Sequence, residues 1–113
     1  MIKNFVVIKT QFEALHNWED AWQIKEADFL KHPHRHIFHV TMKWEVGGLN
    51  REIEFILQKR EVEDFITMTW KRGTLTNMSC EMMCAELMEK FNACYVSVFE
   101  DNENGAERIN DEI

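Results

Sequence analysis

From His34 to Val46 the chain shows its clearest alternation with a period of two. Side chains on an extended strand point to opposite faces in turn, so this pattern predicts a long strand and excludes a helix there. One face carries His34, His36, Phe38, Val40, Met42, Trp44 and Val46, and the other Arg35, Ile37, His39, Thr41, Lys43 and Glu45. The first face belongs in a core and the second is mostly wet. A strand with one apolar face has to lie in a sheet that something else covers, and the remaining segments supply candidates for both partners and cover.

Positions 3 to 16 alternate more loosely, with Val6, Ile8, Phe12, Ala14 and His16 on one face. They predict a first strand ending near that histidine. Asn17 to Pro33 has no clean period and reads as a loop with at most one helical turn, and a loop this long is more often functional than idle. Within it Trp18 and Trp22 suit either a lid or local packing. Gly47-Gly48 tolerate positive φ, and Leu49 to Phe55 resumes an extended pattern, so a β-hairpin is predicted there. Glu54 to about Thr67 places Phe55, Val62, Phe65 and Ile66 on one stripe of an amphipathic helix. A second helix starts near Ser79, with Asn77 or Ser79 as its cap and Glu81 in its first turn. Its buried stripe is Cys80, Met83, Cys84, Leu87 and Phe91. Residues 94 to 100 form a last strand. The expected architecture is α+β, a four-stranded antiparallel sheet with two helices on one face.

At 113 residues the chain is the size of one domain. Residues 1–105 are expected to form it, and 106–113 a flexible, solvated acidic tail. Twenty acidic against thirteen basic residues give a net charge of −7, which opposes binding to nucleic acid. No apolar run approaches the roughly 20 residues of a membrane span, so no membrane partner is expected. The N-terminus lacks a leader pattern, and three cysteines, an odd count, do not make a disulfide framework. A cytoplasmic protein is expected.

All five histidines fall between positions 16 and 39. On a strand, His34 and His36 point the same way and can chelate one ion, and His16, at the end of a neighbouring strand, is the natural third ligand. His39 points to the opposite face, and His32 lies in the loop before Pro33. Three neutral imidazoles with an open fourth position is the catalytic style of zinc site. A His-x-His pair is short and common, so the spacing is equally compatible with histidines packed at the end of a core strand. Cys80 and Cys84, four apart on a helix, suit core filling better than metal binding, and the methionines suit packing. Glu100 ends the last strand in phase with Val96 and Val98. Pointing inward it would need donors, such as the adjacent N–H groups of a pterin or guanine-like ring. Pointing outward it simply begins an acidic loop.

Several of these segments together resemble the family of 6-pyruvoyl- and 6-carboxytetrahydropterin synthases. Phe12-Glu13-Ala14-Leu15-His16 is similar to the family's Phe-x-Ala-x-His strand end, and His34-Arg35-His36-Ile37-Phe38-His39-Val40 to its His-Gly-His-x-Phe/Tyr-x-Val strand. Glu52-Ile53-Glu54-Phe55 resembles the acidic-Phe pair that opens the first helix. Asn77-Met78-Ser79-Cys80-Glu81 resembles the Asn-Pro-Thr-Ser-Glu that opens the second, and Val98-Phe99-Glu100 the strand whose glutamate anchors the pterin ring. The resemblance implies a T-fold whose subunits assemble into a β-barrel, a homo-oligomer such as a trimer or hexamer. It also implies zinc on His16, His34 and His36, and a pterin-like ligand against Glu100, Ser79, Cys80 and Glu81. The implied activity is a carbon–oxygen lyase acting on dihydroneopterin triphosphate or a relative. Departures accompany it: no cysteine precedes His34, no histidine follows His39, and Arg35 replaces a glycine. Asp28 or Glu26 is then the expected acid or base. The rival readings are a T-fold protein that binds a pterin or purine-like ligand without turnover, and an interaction module in which the histidines only pack.

Overall fold

The structure, a computed structural model, describes residues 1–71 and 73–111. Two long strands dominate it. β1 (Asn4–Asn17) and β2 (His34–Val46) pair antiparallel in a register running from Asn4 opposite Val46 to His16 opposite His34. The segment between them folds into two short 3-10 turns, Glu19–Gln23 and Lys25–Lys31. It closes on itself where Trp18 N–H donates to the Leu30 carbonyl at 2.8 Å.

The hairpin expected after Gly47-Gly48 does not form, and β2 is completed from other parts of the chain. Arg51 has φ 55°, which breaks the extended run, and the Glu52 carboxylate accepts from the N–H groups of Gly47 and Gly48 at 3.2 and 2.9 Å. The Glu54 side chain then accepts from Ile56 N–H at 3.0 Å and opens helix α1 (Phe55–Thr69). Two-residue β3 (Leu75–Thr76) lies parallel to the end of β1. Helix α2 (Cys80–Phe91) is capped by Ser79, whose hydroxyl accepts from Met82 N–H at 3.1 Å, and ends at Asn92 in the left-handed region. β4 (Tyr95–Glu100) takes the free side of β2, and β5 (Asn104–Ile109) pairs with β4.

Among the described residues the result is an α+β fold on a mixed five-stranded sheet in the order β3-β1-β2-β4-β5, with the β3–β1 pair parallel and the others antiparallel. The inward face of β2 (Phe38, Val40, Met42, Trp44) meets Ile8, Phe12 and Ala14 of β1 and Val96 and Val98 of β4 in one core. Val62 and Ile66 of α1 and Met83, Cys84 and Leu87 of α2 close that core from the same side. Each such side chain, fully buried, contributes about 1.5–3 kcal/mol. Trp70 Nε1–H donates to Glu86 at 3.0 Å and Trp44 Nε1–H to the Phe91 carbonyl at 2.9 Å, which satisfies both indoles while tying the helices to each other and to the sheet. Of the expected α1 stripe, Phe55 is exposed. No helix among the described residues is long and apolar enough to cross a membrane.

β5 takes up the first part of the segment, 106–113, expected to be a flexible tail. The acidic run is confined to a turn in which Asp101 and Asn102 both have positive φ, 52° and 58°, and Glu103 N–H donates to the Glu100 carbonyl at 2.9 Å. Positive φ at two successive residues suits a tight turn that returns a strand alongside itself. Residues 112 and 113 lie outside the described residues.

Gly105 makes the return possible. A Cβ there would lie 2.1 Å from the Val98 carbonyl oxygen and 2.6 Å from Phe99 Cα, both backbone atoms. At Gly47 the nearest atom would be 3.8 Å away, an ordinary contact. Gly105→Ala is therefore expected to lower unfolding stability by about 1–3 kcal/mol, with Gly47→Ala within about 0.5 kcal/mol of the parent. Urea denaturation measures both, and equal stabilities would contradict the β4–β5 packing.

Candidate metal centre

The register of β1 on β2 sets His16 directly across from His34, and places His36 across from Ala14. All three point to the core side of the sheet at its open end. Ala14 matters here because its small side chain leaves room for the His36 ring to lean towards His16. The ring centroids are 4.4 Å apart for His16 and His34, 5.1 Å for His16 and His36, and 4.9 Å for His34 and His36. One nitrogen from each ring can be chosen so that all three lie within 4.8 Å of one another. Phe38 forms the floor, with its ring 5.3 Å from that of His16 and 5.2 Å from that of Phe12.

Hydrogen bonds fix which nitrogens face inward. The outer Nδ1 of His34 contacts the His32 carbonyl at 2.8 Å, which makes it the N–H donor. The Nδ1 of His36 contacts the Asp101 carboxylate at 2.6 Å. In each ring Nε2 is left as the lone-pair atom, and the pattern is the one metal-binding imidazoles use to fix tautomer and orientation. Among the described residues, nothing hydrogen-bonds to the buried Nε2 of His34. An orphaned buried acceptor of this kind is costly unless a cation or donor meets it. Burial, then the neighbouring His34 and His36, push the His16 pKa down to about 4. It is neutral at physiological pH, the state that ligation requires. Its 3.0 Å contact from Nε2 to Glu100 is accordingly a hydrogen bond from a neutral ring.

Asp101 is held as firmly as the ring it orients. Its carboxylate accepts from Ile37 N–H at 3.0 Å, and its own N–H donates to the Ile37 carbonyl at 2.7 Å. The Ile37 N–H first, and then the His36 ring, hold its pKa below the usual carboxylate value. Sequence reading missed it because it sits inside an acidic run, and only the turn chemistry of Asp101-Asn102 marks it out.

A cavity of about 440 Å³ opens beside the cluster. His16, Glu100, Ser79, Cys80 and Glu81 line it, with Trp18 and Leu30 from the loop after β1. Asn77, at φ 59°, secures that loop by accepting from Glu19 N–H at 2.7 Å and donating its own N–H to the Asn17 carbonyl at 2.8 Å. The residues anticipated as ligand contacts therefore line one cavity, to which Trp18 contributes and Trp22 does not. Asp28 and Glu26 do not line this cavity. Asp28 pairs with Lys31 at 3.1 Å and Glu26 is exposed on the second 3-10 turn. His39 lies on the far face of β2, opposite Gln11. No protein-family model and no curated protein matches this chain.

Burial is the main cause that raises the Cys80 thiol to about 12 and the Cys84 thiol to about 11. The third cysteine, Cys94, is also buried. Thiolate is the reactive form. The folded protein at pH 8 should react with Ellman's reagent far more slowly than the denatured chain, which should release three equivalents. Rapid stoichiometric labelling of the folded protein would contradict this burial.

Proposed function

We propose that the chain binds one zinc ion through His16, His34 and His36 and holds a pterin or purine-like ring in the adjoining cavity, in the manner of the tetrahydropterin synthases it resembles. The observation that carries this reading is the buried, unpartnered Nε2 of His34 beside two further imidazoles oriented by outer hydrogen bonds. Borderline-soft zinc suits an all-imidazole set of this size. The cavity is within the size range of small-molecule sites and sets apolar walls such as Trp18, Leu30 and Met78 beside polar groups such as His16, Ser79, Glu81 and Glu100.

Carbon–oxygen lyase chemistry on dihydroneopterin triphosphate additionally needs a group that moves protons at the substrate. Asp28 and Glu26 lie outside the cavity, and Cys80 is a neutral thiol. That placement favours binding without turnover over the lyase. Assembly into a T-fold β-barrel belongs to the same proposal. Its support is the sheet face opposite the helices, where Phe5, Val7, Leu15 and Ile37 are exposed, together with the edge presented by β5. Three free thiols suit a reducing compartment such as the cytoplasm.

Metal analysis of the purified protein after zinc loading and gel filtration is expected to give one equivalent per chain, lost in His34→Ala. Asp101→Asn should weaken zinc binding by about 10–100-fold in chelator competition with the fold retained. Zinc retained at full affinity in both variants would sink the metal reading. Incubation of the loaded protein with dihydroneopterin triphosphate should give saturable binding without triphosphate release, and release at a steady rate would restore the lyase. Light scattering should give a multiple of the 13.6 kDa chain mass, and a monomer at micromolar concentration would contradict the assembly.

A further inference from the structure

We infer that Glu100 is a fourth ligand of the metal centre, which makes the set three imidazoles and one carboxylate. The inference rests on the three-histidine reading and changes what that site is. Glu100 stands opposite Phe38 in the β2–β4 register, on the other side of β2 from β1. From there its carboxylate reaches over Phe38 to the histidines. Oε1 lies 3.0 Å from Nε2 of His16, and Oε2 lies 3.4 Å from Nε2 of His36.

These are distances between ligands as well as contacts. With metal bonds of about 2.0–2.1 Å to nitrogen and oxygen, two donors on a tetrahedral ion sit about 3.3 Å apart. Glu100 therefore already stands at the spacing of a ligand from two of the three imidazoles. The His16 contact is an ordinary hydrogen bond in the empty site, but the His36 contact is not accounted for in the same way. His36 uses its N–H on Asp101, so in the neutral ring the Nε2 lone pair faces the Oε2 lone pairs across 3.4 Å. The Nε2 of His34 is a further lone pair that no group among the described residues meets. A concave point lined by several lone pairs and a carboxylate is repulsive when empty and attractive to a dication. The Cys80 thiol, 3.9 Å from Oε1, supports the same carboxylate from the helix side as a weak donor.

A carboxylate in the fourth position closes the site to water, in the manner of structural zinc centres. An incoming ligand would then have to displace Glu100 to reach the metal. Glu81, on the same cavity wall, remains as the carboxylate available to ring N–H groups.

The test compares wild type, Glu100→Gln, His34→Ala and, as a charge control from the neighbouring turn, Glu103→Gln. Zinc affinity is read by chelator competition, and the coordination set by the visible ligand-field spectrum of the cobalt(II) form. Glu100→Gln should weaken zinc binding about 100-fold and shift the cobalt spectrum, with Glu103→Gln unchanged in both. The cobalt spectrum of wild type should not respond to millimolar azide, a measurement that requires no variant to fold. Wild type that binds one zinc and loses it in His34→Ala, with affinity and spectrum unaltered in Glu100→Gln, would overturn the fourth-ligand assignment alone. A wild-type cobalt spectrum that shifts strongly with azide would overturn it too. Wild type that binds no zinc would overturn both this assignment and the three-histidine reading.

Discussion

The site depends on the antiparallel register of β1 on β2. Strand side chains alternate, so a slip of one residue between these strands would send the paired histidines to opposite faces of the sheet. The register is held along the whole length of both strands, by the backbone ladder and by the apolar side chains that share its inner face. His16 and His34 are simply the last pair of that ladder. Their meeting needs no separate device.

Segments beyond the two long strands shape the pocket around these histidines. Phe12 and Phe38, whose stacked rings form an apolar floor, lie beneath the histidines, and His36, opposite Ala14, is the next inward-facing residue of β2. β4 brings Glu100 to the same end, and the turn after it brings Asp101 against Ile37. That turn serves twice: its left-handed Asp101 and Asn102 return the chain as β5, and the Asp101 carboxylate orients the His36 ring. Fold and chemistry are thus coupled through one short segment. Asn77 plays a similar part on the other side, pinning the loop after β1 so that Trp18 and Leu30 face the cavity.

Much of this was legible in the sequence where the signal was periodic. The inner face of β2, the buried stripe of α2 and the shared orientation of His34 and His36 follow from spacing and residue type alone, while the sequence left the α2 cap between Asn77 and Ser79 and the structure gives it to Ser79. Where pairing is decided at long range, local reading misled. Leu49 to Phe55 has an extended pattern, but Arg51 turns it and Glu54 diverts it into a helix, while β2 takes Tyr95–Glu100 as its partner from far along the chain. The acidic composition after Glu100 hid a tight turn and a fifth strand. Asp28 and Glu26 drew attention because they precede the histidines in sequence, but the 3-10 turns carry them away from the cavity in space. Asp101 had no pattern of its own, because its role arises only when β4 lies beside β2.

X-ray absorption at the zinc edge of the loaded protein tests the central claim most directly. Three imidazoles and a carboxylate predict a nitrogen and oxygen shell at about 2.0–2.1 Å with the outer scattering typical of histidine rings, and no sulfur. A sulfur shell at about 2.3 Å, or a spectrum without imidazole scattering, would mean that the strand ends do not hold the ion.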